Sequence, residues 1–174
     1  MEFKFETRYD RASLAVMAKA LRKTIRKKHS RRSHVFGLVV AVLAVLLTIP
    51  MARGTIIPPA RVLITWAIAV VIVFAIVRED RLNAYFAQNR MMPGTEFAES
   101  IFTEYGYTTY TSLGNTEWEY ENIRMLAESK RYFVFILSKN HAQIYDKSNL
   151  TGGTAAEFRQ FLTEMTEKEI LPIE

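Results

Sequence analysis

Residues 35–52, VFGLVVAVLAVLLTIPMA, and residues 62–77, VLITWAIAVVIVFAIV, are two apolar stretches in the middle of a 174-residue chain. The first holds no charged side chain. As a helix rising ~1.5 Å per residue it would be about 27 Å long, close to the ~30 Å hydrocarbon core of a bilayer. The second stretch reaches a full span when residues 56–61 are added. The sequence therefore predicts two transmembrane helices.

Only residues 53–55 separate the two predicted spans, and a link this short forces an antiparallel hairpin. Pro58 and Pro59 fit the first turn of the second helix, where a missing N–H costs little. Arg61 would extend its guanidinium to the membrane interface. The alternative is a pair of core helices in a soluble protein, but the remaining chain is too short to bury both on all sides. A cleaved signal peptide is disfavoured, because the first apolar stretch begins far from residue 1 and a second follows at once.

Positive charge is concentrated around the predicted hairpin. Residues 1–93 hold 16 Lys and Arg against 5 Asp and Glu, whereas residues 94–174 hold 7 against 13. The connecting loop offers only Arg53 and Arg61, so the positive-inside rule predicts that both termini are cytoplasmic. A nucleic-acid role is disfavoured, since this topology already accounts for the charge. The residues expected to contact the membrane surface are Lys19, Arg22, Lys23, Arg26, Lys27, Arg31 and Arg32.

The N-terminal arm, residues 1–34, is expected to hold a strand and a helix. Phe3 and Phe5 alternate with charged residues over residues 2–8, which is typical of a half-buried strand. Asp10 is a suitable N-cap for the helix that follows. The apolar face of that helix comprises Leu14, Met17, Ala18, Leu21 and Ile25. This face could lie on the inner leaflet or pack on the cytosolic domain; the second is favoured, because the strand needs a sheet to join.

Residues 94–174 are expected to form a cytosolic α+β domain after a juxtamembrane linker, residues 78–93. Five strands are predicted, at residues 96–104, 107–113, 116–122, 132–138 and 142–145. A final helix is predicted to begin with a capping box formed by Thr154 and Glu157. Its apolar stripe comprises Phe158, Phe161, Leu162 and Met165, and this stripe must cover the strands.

Residues 95–163 resemble the bacterial YcxB-like family. The resemblance rests on Trp118, Ile123, Glu128, the apolar strand 132–137, the polar hairpin 138–140, Ile144, Lys147, and the helix with Phe158 and Leu162. It implies a bacterial inner-membrane protein with a pleckstrin-homology-like antiparallel sheet capped by a C-terminal helix, and it implies no catalytic residues. Asp146 stands where the family often has the proline of Ile-Pro-Lys, and proline fixes φ. The form of the turn at Asp146 is therefore left open.

Few residues suggest chemistry. The absence of cysteine excludes disulfides and thiolate sites, and we expect no metal and no cofactor. Glu117, Glu119 and Glu121 alternate, which predicts a solvated strand face, with Trp118 and Tyr120 on the core side. A tyrosine group could form a binding surface but is more typical of strand packing; its members are Tyr105, Tyr107 and Tyr110.

Together these features predict a membrane-anchored, non-enzymatic scaffold or interaction protein. Its cytosolic domain would bind a protein partner or a lipid headgroup, and the acidic charge of residues 94–174 favours the protein partner. The alternative is an accessory subunit of a membrane transporter or a membrane-bound enzyme. Homo-oligomer formation is left open by the sequence.

Overall fold

A computed structural model describes residues 2–49 and 58–173 and shows an α+β protein. The helices are α1 (Arg11–Lys23), α2 (Lys27–Leu46), α3 (Pro59–Val77), α4 (Glu79–Asn89) and α5 (Ala155–Thr166). The strands are β1 (Phe3–Arg8), β2 (Phe97–Thr103), β3 (Gly106–Thr111), β4 (Gly114–Trp118), β5 (Met125–Glu128), β6 (Tyr132–Ile136), β7 (Ala142–Asp146), β8 (Leu150–Thr151) and β9 (Ile170–Pro172). Short 3₁₀ turns cover Tyr120–Asn122 and Lys147–Asn149.

The strands form two sheets. One has five strands in the order β4-β3-β2-β1-β8, and the other has four in the order β7-β6-β5-β9. Neighbours are antiparallel except β5 and β9, which are parallel. The N-terminal strand is confirmed, and it lies inside the first sheet between β2 and β8. Residues 3–8 therefore fold together with the C-terminal half of the chain.

An aromatic core fills the space between the two sheets and is closed by α5. Phe3 and Phe5 of β1 are fully buried, and the Phe5 ring lies 4.8 Å from that of Phe158 on α5. The predicted stripe of α5 faces this core. Each aromatic pair adds about 0.5–1.5 kcal/mol beyond the area that it buries. The start of α5 also agrees with prediction: Thr154 Oγ1 accepts from the Glu157 N–H at 3.2 Å, and Glu157 Oε2 accepts from the Thr154 N–H at 2.7 Å.

The loop before α5 presses directly on β1, and this approach requires glycine. Gly152 has φ +86°, and a Cβ added there would lie 2.2 Å from the carbonyl oxygen of Glu2. The side chain of any other residue would clash with the backbone of Glu2, and that residue would also be held at a strained φ. The pair Gly152-Gly153 thus serves the packing of α5 against the sheet.

The outer face of the four-stranded sheet is covered by α1. Asp10 caps this helix as predicted, with its Oδ1 accepting from the Ser13 N–H at 2.8 Å. Leu21 of α1 packs against Val134 of β6 and Ile144 of β7 in a second core. All residues of β6 and β7 are buried because the aromatic core covers one face and α1 the other. The N-terminal helix therefore packs on the domain, as the favoured alternative predicted.

Two polar segments have a structure that the sequence pattern did not indicate. Residues 78–93, predicted to be a juxtamembrane linker, contain α4, which packs along α1. The strand expected at residues 116–122 ends at Trp118, because a 3₁₀ turn follows at Tyr120–Asn122. Strands β5, β8 and β9 were not predicted, since each has four residues or fewer.

Helices α2 and α3 lie antiparallel against each other. A Cβ added at Gly37 would lie 3.1 Å from Ile76 Cδ1, and Trp66 Nε1 donates to Thr48 Oγ1 at 3.1 Å near the other end. Among the described residues, α3 alone is long and apolar enough to cross a membrane. Residues 50–57 lie outside the described residues, and they hold the end of the predicted first span, the predicted link at residues 53–55 and the first residues added to the second span.

Candidate functional site

The helices and the sheets meet at a cluster of polar side chains, here named the junction cluster: Arg22, Ser30, His34, Glu79 and Asp80. Arg22 Nε donates to Asp80 Oδ1 at 2.7 Å, and its terminal nitrogen donates to Oδ2 at 2.6 Å. This two-point hydrogen bond raises the pKa of Arg22 above its ordinary value. It joins α1, which is packed on the sheet, to the start of α4.

The same cluster ties α2 to α4. Glu79 Oε2 lies 2.6 Å from His34 Nε2 and accepts from Ser30 Oγ at 3.2 Å. Glu79 and Asp80 also lie in the first turn of α4, where the helix dipole favours negative charge. Because α4 follows α3 directly, the junction cluster holds the paired helices in a defined position on the two-sheet domain.

The seven predicted membrane-surface residues fall into different environments. Arg22 belongs to the junction cluster, and Arg26 donates to the Lys139 carbonyl at 2.6 Å and to Asn140 Oδ1 at 2.8 Å. Lys19 is half-buried on α1, and Lys23 is exposed at its end. The others, Lys27, Arg31 and Arg32, are exposed on the first turns of α2. Their contact with a membrane stays a prediction.

A cavity of about 820 Å³ opens beside the exposed cations of α2. The turn between α1 and α2 supplies Thr24 and Ile25. From α2 come Lys27, Lys28, Arg31, Arg32, Val35, Phe36 and Val39. The wall is thus basic at one end of α2 and apolar further along the same helix.

A second charged group connects residues that carried the family resemblance. Lys147 Nζ donates to Glu128 Oε1, and Arg159 donates to both oxygens of Glu128 at 2.9 and 2.6 Å. Burial opposes ionisation of Glu128, but the hydrogen bonds from Arg159 and Lys147 outweigh it and hold its pKa below the ordinary value. The group joins β5, the turn after β7 and α5, so its role is structural.

Asp146 settles the form of the turn that the sequence left open. Its φ is −80°, close to the value that proline would impose. Its Oδ1 accepts from the Ser148 N–H at 3.0 Å, and Arg131 Nε donates to its Oδ2 at 2.8 Å. Side-chain hydrogen bonds thus replace the rigidity of the ring.

The residues considered for chemistry do not converge. Glu117, Glu119 and Glu121 are exposed, and they do not share one strand face because β4 ends at Trp118. Tyr120 reaches the core from the 3₁₀ turn. Across the residues that the structure describes, no group of three or more His, Asp or Glu could hold a metal ion.

The tyrosines and His141 have different environments. Tyr107 is buried in the core, whereas Tyr105 is 93% exposed and Tyr110 partly exposed. His141 packs its ring against Trp118 with centroids 5.4 Å apart. Burial lowers the pKa of His141 below its ordinary value.

Glu79 and Asp80 were not predicted as partners of the basic residues. A signal was available, because these two acids follow an apolar stretch after Arg78 alone, in a half of the chain that is otherwise strongly basic. The predicted membrane-surface residues also omitted Lys28, which lines the cavity with three of the predicted cations.

Comparison with known proteins supports the resemblance. No curated protein and no solved structure matches the chain. The model of the family described as YcxB-like protein matches residues 102–162. This segment runs from the end of β2 into α5 and contains Glu128, Lys147 and most of the aromatic core. Residues 102–162 of the chain are therefore similar to the YcxB-like family, as the sequence predicted.

Proposed function

We propose that this protein is a membrane-anchored, non-enzymatic interaction protein of the bacterial inner membrane. Helices α2 and α3, with the loop between them, form a transmembrane hairpin, and both termini are cytoplasmic. The two-sheet domain stands at the cytoplasmic surface and binds a protein partner. The observation that carries the proposal is the exposure of the apolar side chains of α2 and α3.

These two helices bury little of their apolar surface within the chain. Phe36 on α2 and Leu63 on α3 are each 71% exposed, and most other large apolar side chains of these helices are also exposed. Among the described residues of α2 and α3, the buried ones are Ala41 and Ala69, and Ser30 at the junction cluster. Water-soluble monomers rarely expose continuous apolar patches larger than about 600 Å². This surface is suited to lipid, and it argues against a pair of core helices.

Strand pairing supports two crossings. Residues 3–8 are hydrogen bonded to residues 97–103, so both segments lie on the same side of any membrane. The chain between them must then cross an even number of times. A crossing by α3 alone is incompatible with this pairing, and a second crossing through residues 35–52 meets the requirement. The basic residues before α2 and after α3 favour the cytoplasm for both ends.

The two-sheet domain is consistent with a pleckstrin-homology-like plan. Two sheets enclose one core, and the C-terminal helix α5 covers it. The interior strand β1 comes from the other end of the chain, and β9 adds a parallel strand. We propose that these are additions to that plan, which tie the domain to its anchor.

A protein partner is favoured by the exposed surface of the domain. The edge strand β4 is exposed, and the nearby exposed side chains include Tyr105, Tyr110 and Leu113. Glu117 and Glu119 line the same surface depression as Tyr105 and would repel an anionic membrane. Aromatic side chains are enriched at protein interfaces, and free edge strands can pair with another chain.

Reporter fusions to the full-length chain test the anchor. A reporter after residue 174 should be cytoplasmic, and one inserted at residues 53–55 should be outside. The chain should stay in the membrane fraction under alkaline extraction. An external C-terminal reporter, or a chain that remains in solution without detergent, would contradict the proposal.

Photocrosslinking in native membranes tests the interaction. A crosslinking residue at Tyr105 should capture a discrete protein partner, whereas one at the exposed Gln160 of α5 serves as the matched control and should not. Capture of a polytopic transporter through α2 or α3 would instead favour an accessory subunit. Equal yields from the two domain positions would remove support for β4 as the interface.

A further inference from the structure

We propose that the cavity beside α2 binds one anionic phospholipid. Lys27, Lys28, Arg31 and Arg32 would hold the phosphate of the headgroup, and one acyl chain would lie along the apolar part of the wall. We name this cavity the lipid pocket. The inference rests on the proposed membrane anchor and adds a specific ligand class to it.

The order of residues along α2 matches the order of chemistry across a membrane interface. The cations occupy the first two turns, and Val35, Phe36 and Val39 continue the same wall at intervals of three and four residues. The distance from Lys27 to Val35 along the helix is about 12 Å. A single wall thus passes from headgroup depth to hydrocarbon depth, as a phospholipid does.

The four cations have no partner in the described part of the chain. Arg22 is held by Asp80, and Arg26 is held by Lys139 and Asn140. By contrast, within residues 2–49 and 58–173 no hydrogen bond or ion pair satisfies the side chains of Lys27, Lys28, Arg31 or Arg32, and no acidic residue is among those that line the cavity. Four like charges on two turns repel one another, so an anion between them relieves the repulsion.

The apolar wall selects a lipid over a free phosphate. An inorganic phosphate would contact only the basic end and leave Val35, Phe36 and Val39 uncovered. The first turn of α2 contains no acidic residue that would offset the positive end of the helix dipole. The dipole therefore adds to the attraction between the cations of α2 and an anionic headgroup. Inorganic phosphate and a phospholipid headgroup would both be recognised through their phosphate. The length of the apolar wall assigns the site to a phospholipid.

Native mass spectrometry of the full-length protein in mild detergent tests the pocket. The protein is offered equal amounts of phosphatidylglycerol and phosphatidylcholine. We expect wild type to retain one phosphatidylglycerol in preference to phosphatidylcholine. Replacing the four cations together by glutamine should lower that preference about tenfold or more, since each close charge attracts the headgroup. Phe36→Ala should weaken lipid retention while leaving the four charges in place.

A charge-matched control separates the pocket from net charge. Replacing Arg124, Lys130, Lys139 and Lys168 by glutamine removes four positive charges from the domain and should leave the lipid preference unchanged. An equal loss in both quadruple variants would overturn the proposal. Displacement of the lipid by equimolar inorganic phosphate would also overturn it, because the site would then take free phosphate.

The failure of the pocket is distinguishable from the failure of the anchor. A protein that stays in the membrane fraction but shows no difference between wild type and the pocket variant contradicts only the lipid pocket. A protein that needs no detergent to remain in solution contradicts the membrane anchor and the lipid pocket together.

Discussion

At the residue scale, the charged residues of the domain are joined by specific pairs. Glu128 receives hydrogen bonds from Lys147 and Arg159, and Asp146 receives them from Arg131 and Ser148. Both carboxylates have pKa values below the ordinary ones, because these hydrogen bonds outweigh the burial that opposes ionisation. Both therefore contribute to folding only while they are ionised.

We expect the stability of the domain to fall in acid through Glu128. A carboxylate with a lowered folded pKa stabilises the fold above its unfolded value of 4.5, and this contribution is lost as pH falls through the folded pKa. Glu128→Gln should cost about 1–3 kcal/mol at neutral pH, in line with hydrogen bonds to charged groups. Denaturant unfolding at neutral and acid pH measures both effects.

The variant should also flatten the dependence of stability on pH below 4.5. Glu164→Gln on the exposed side of α5 is the matched control, and it should keep the slope of wild type. If Glu128→Gln leaves the slope of stability against pH unchanged, the hydrogen bonds of Glu128 with Lys147 and Arg159 contribute nothing to the loss of stability in acid.

Among the helices and strands, the apolar sequence pattern predicted those that contact a large core. The elements that it did not predict are short or bury few side chains. The run Tyr132–Ile136 and the stripe of α5 bury several large side chains each, so their periodicity was visible. Strand β9 has three residues and depends on a parallel partner over forty positions away. Helix α4 buries only Ala84, so its polar composition resembled a linker. Such elements are held by tertiary contacts, which a local pattern does not contain.

We expect Leu21→Ala on α1 to destabilise the domain by about 2–5 kcal/mol, because it leaves a cavity beside Val134 and Ile144. Thermal unfolding of the full-length protein in detergent measures this loss. Lys19→Ala on the same helix is the control and should change stability by less than ~0.5 kcal/mol. A similar effect of both variants would contradict the packing of α1 on the sheet.

At the scale of the whole molecule, the junction cluster connects the paired helices to the domain. The sequence indicated the basic residues of this region. It did not indicate which of them form contacts within the fold and which stay exposed on α2. The structure uses Arg22 and Arg26 to hold the fold, and it leaves the cations of α2 at the lipid pocket. This division could not be predicted, because it depends on where α4 and the β6–β7 hairpin lie around α1.

We expect Arg22→Ala and Asp80→Ala each to loosen α4 from α1, and the double variant to loosen it little more. Residues that form one pair show coupling of about 0.5–3 kcal/mol. Hydrogen exchange of residues 79–89 measures the loosening. Glu99→Ala, which removes the exposed pair with Lys4, is the control and should leave this exchange unchanged. Strictly additive effects of Arg22→Ala and Asp80→Ala would contradict the coupling.

The interior position of β1 in its sheet also has a consequence for biosynthesis. The ribosome makes β1 before α2 and α3, whereas its two neighbours, β2 and β8, are made after both helices. The nascent β1 must therefore wait with Phe3 and Phe5 uncovered until β2 and β8 have been synthesised. For the same reason, a fragment that begins at residue 94 lacks the strand between β2 and β8, so the two-sheet domain should be studied with residues 3–8 present.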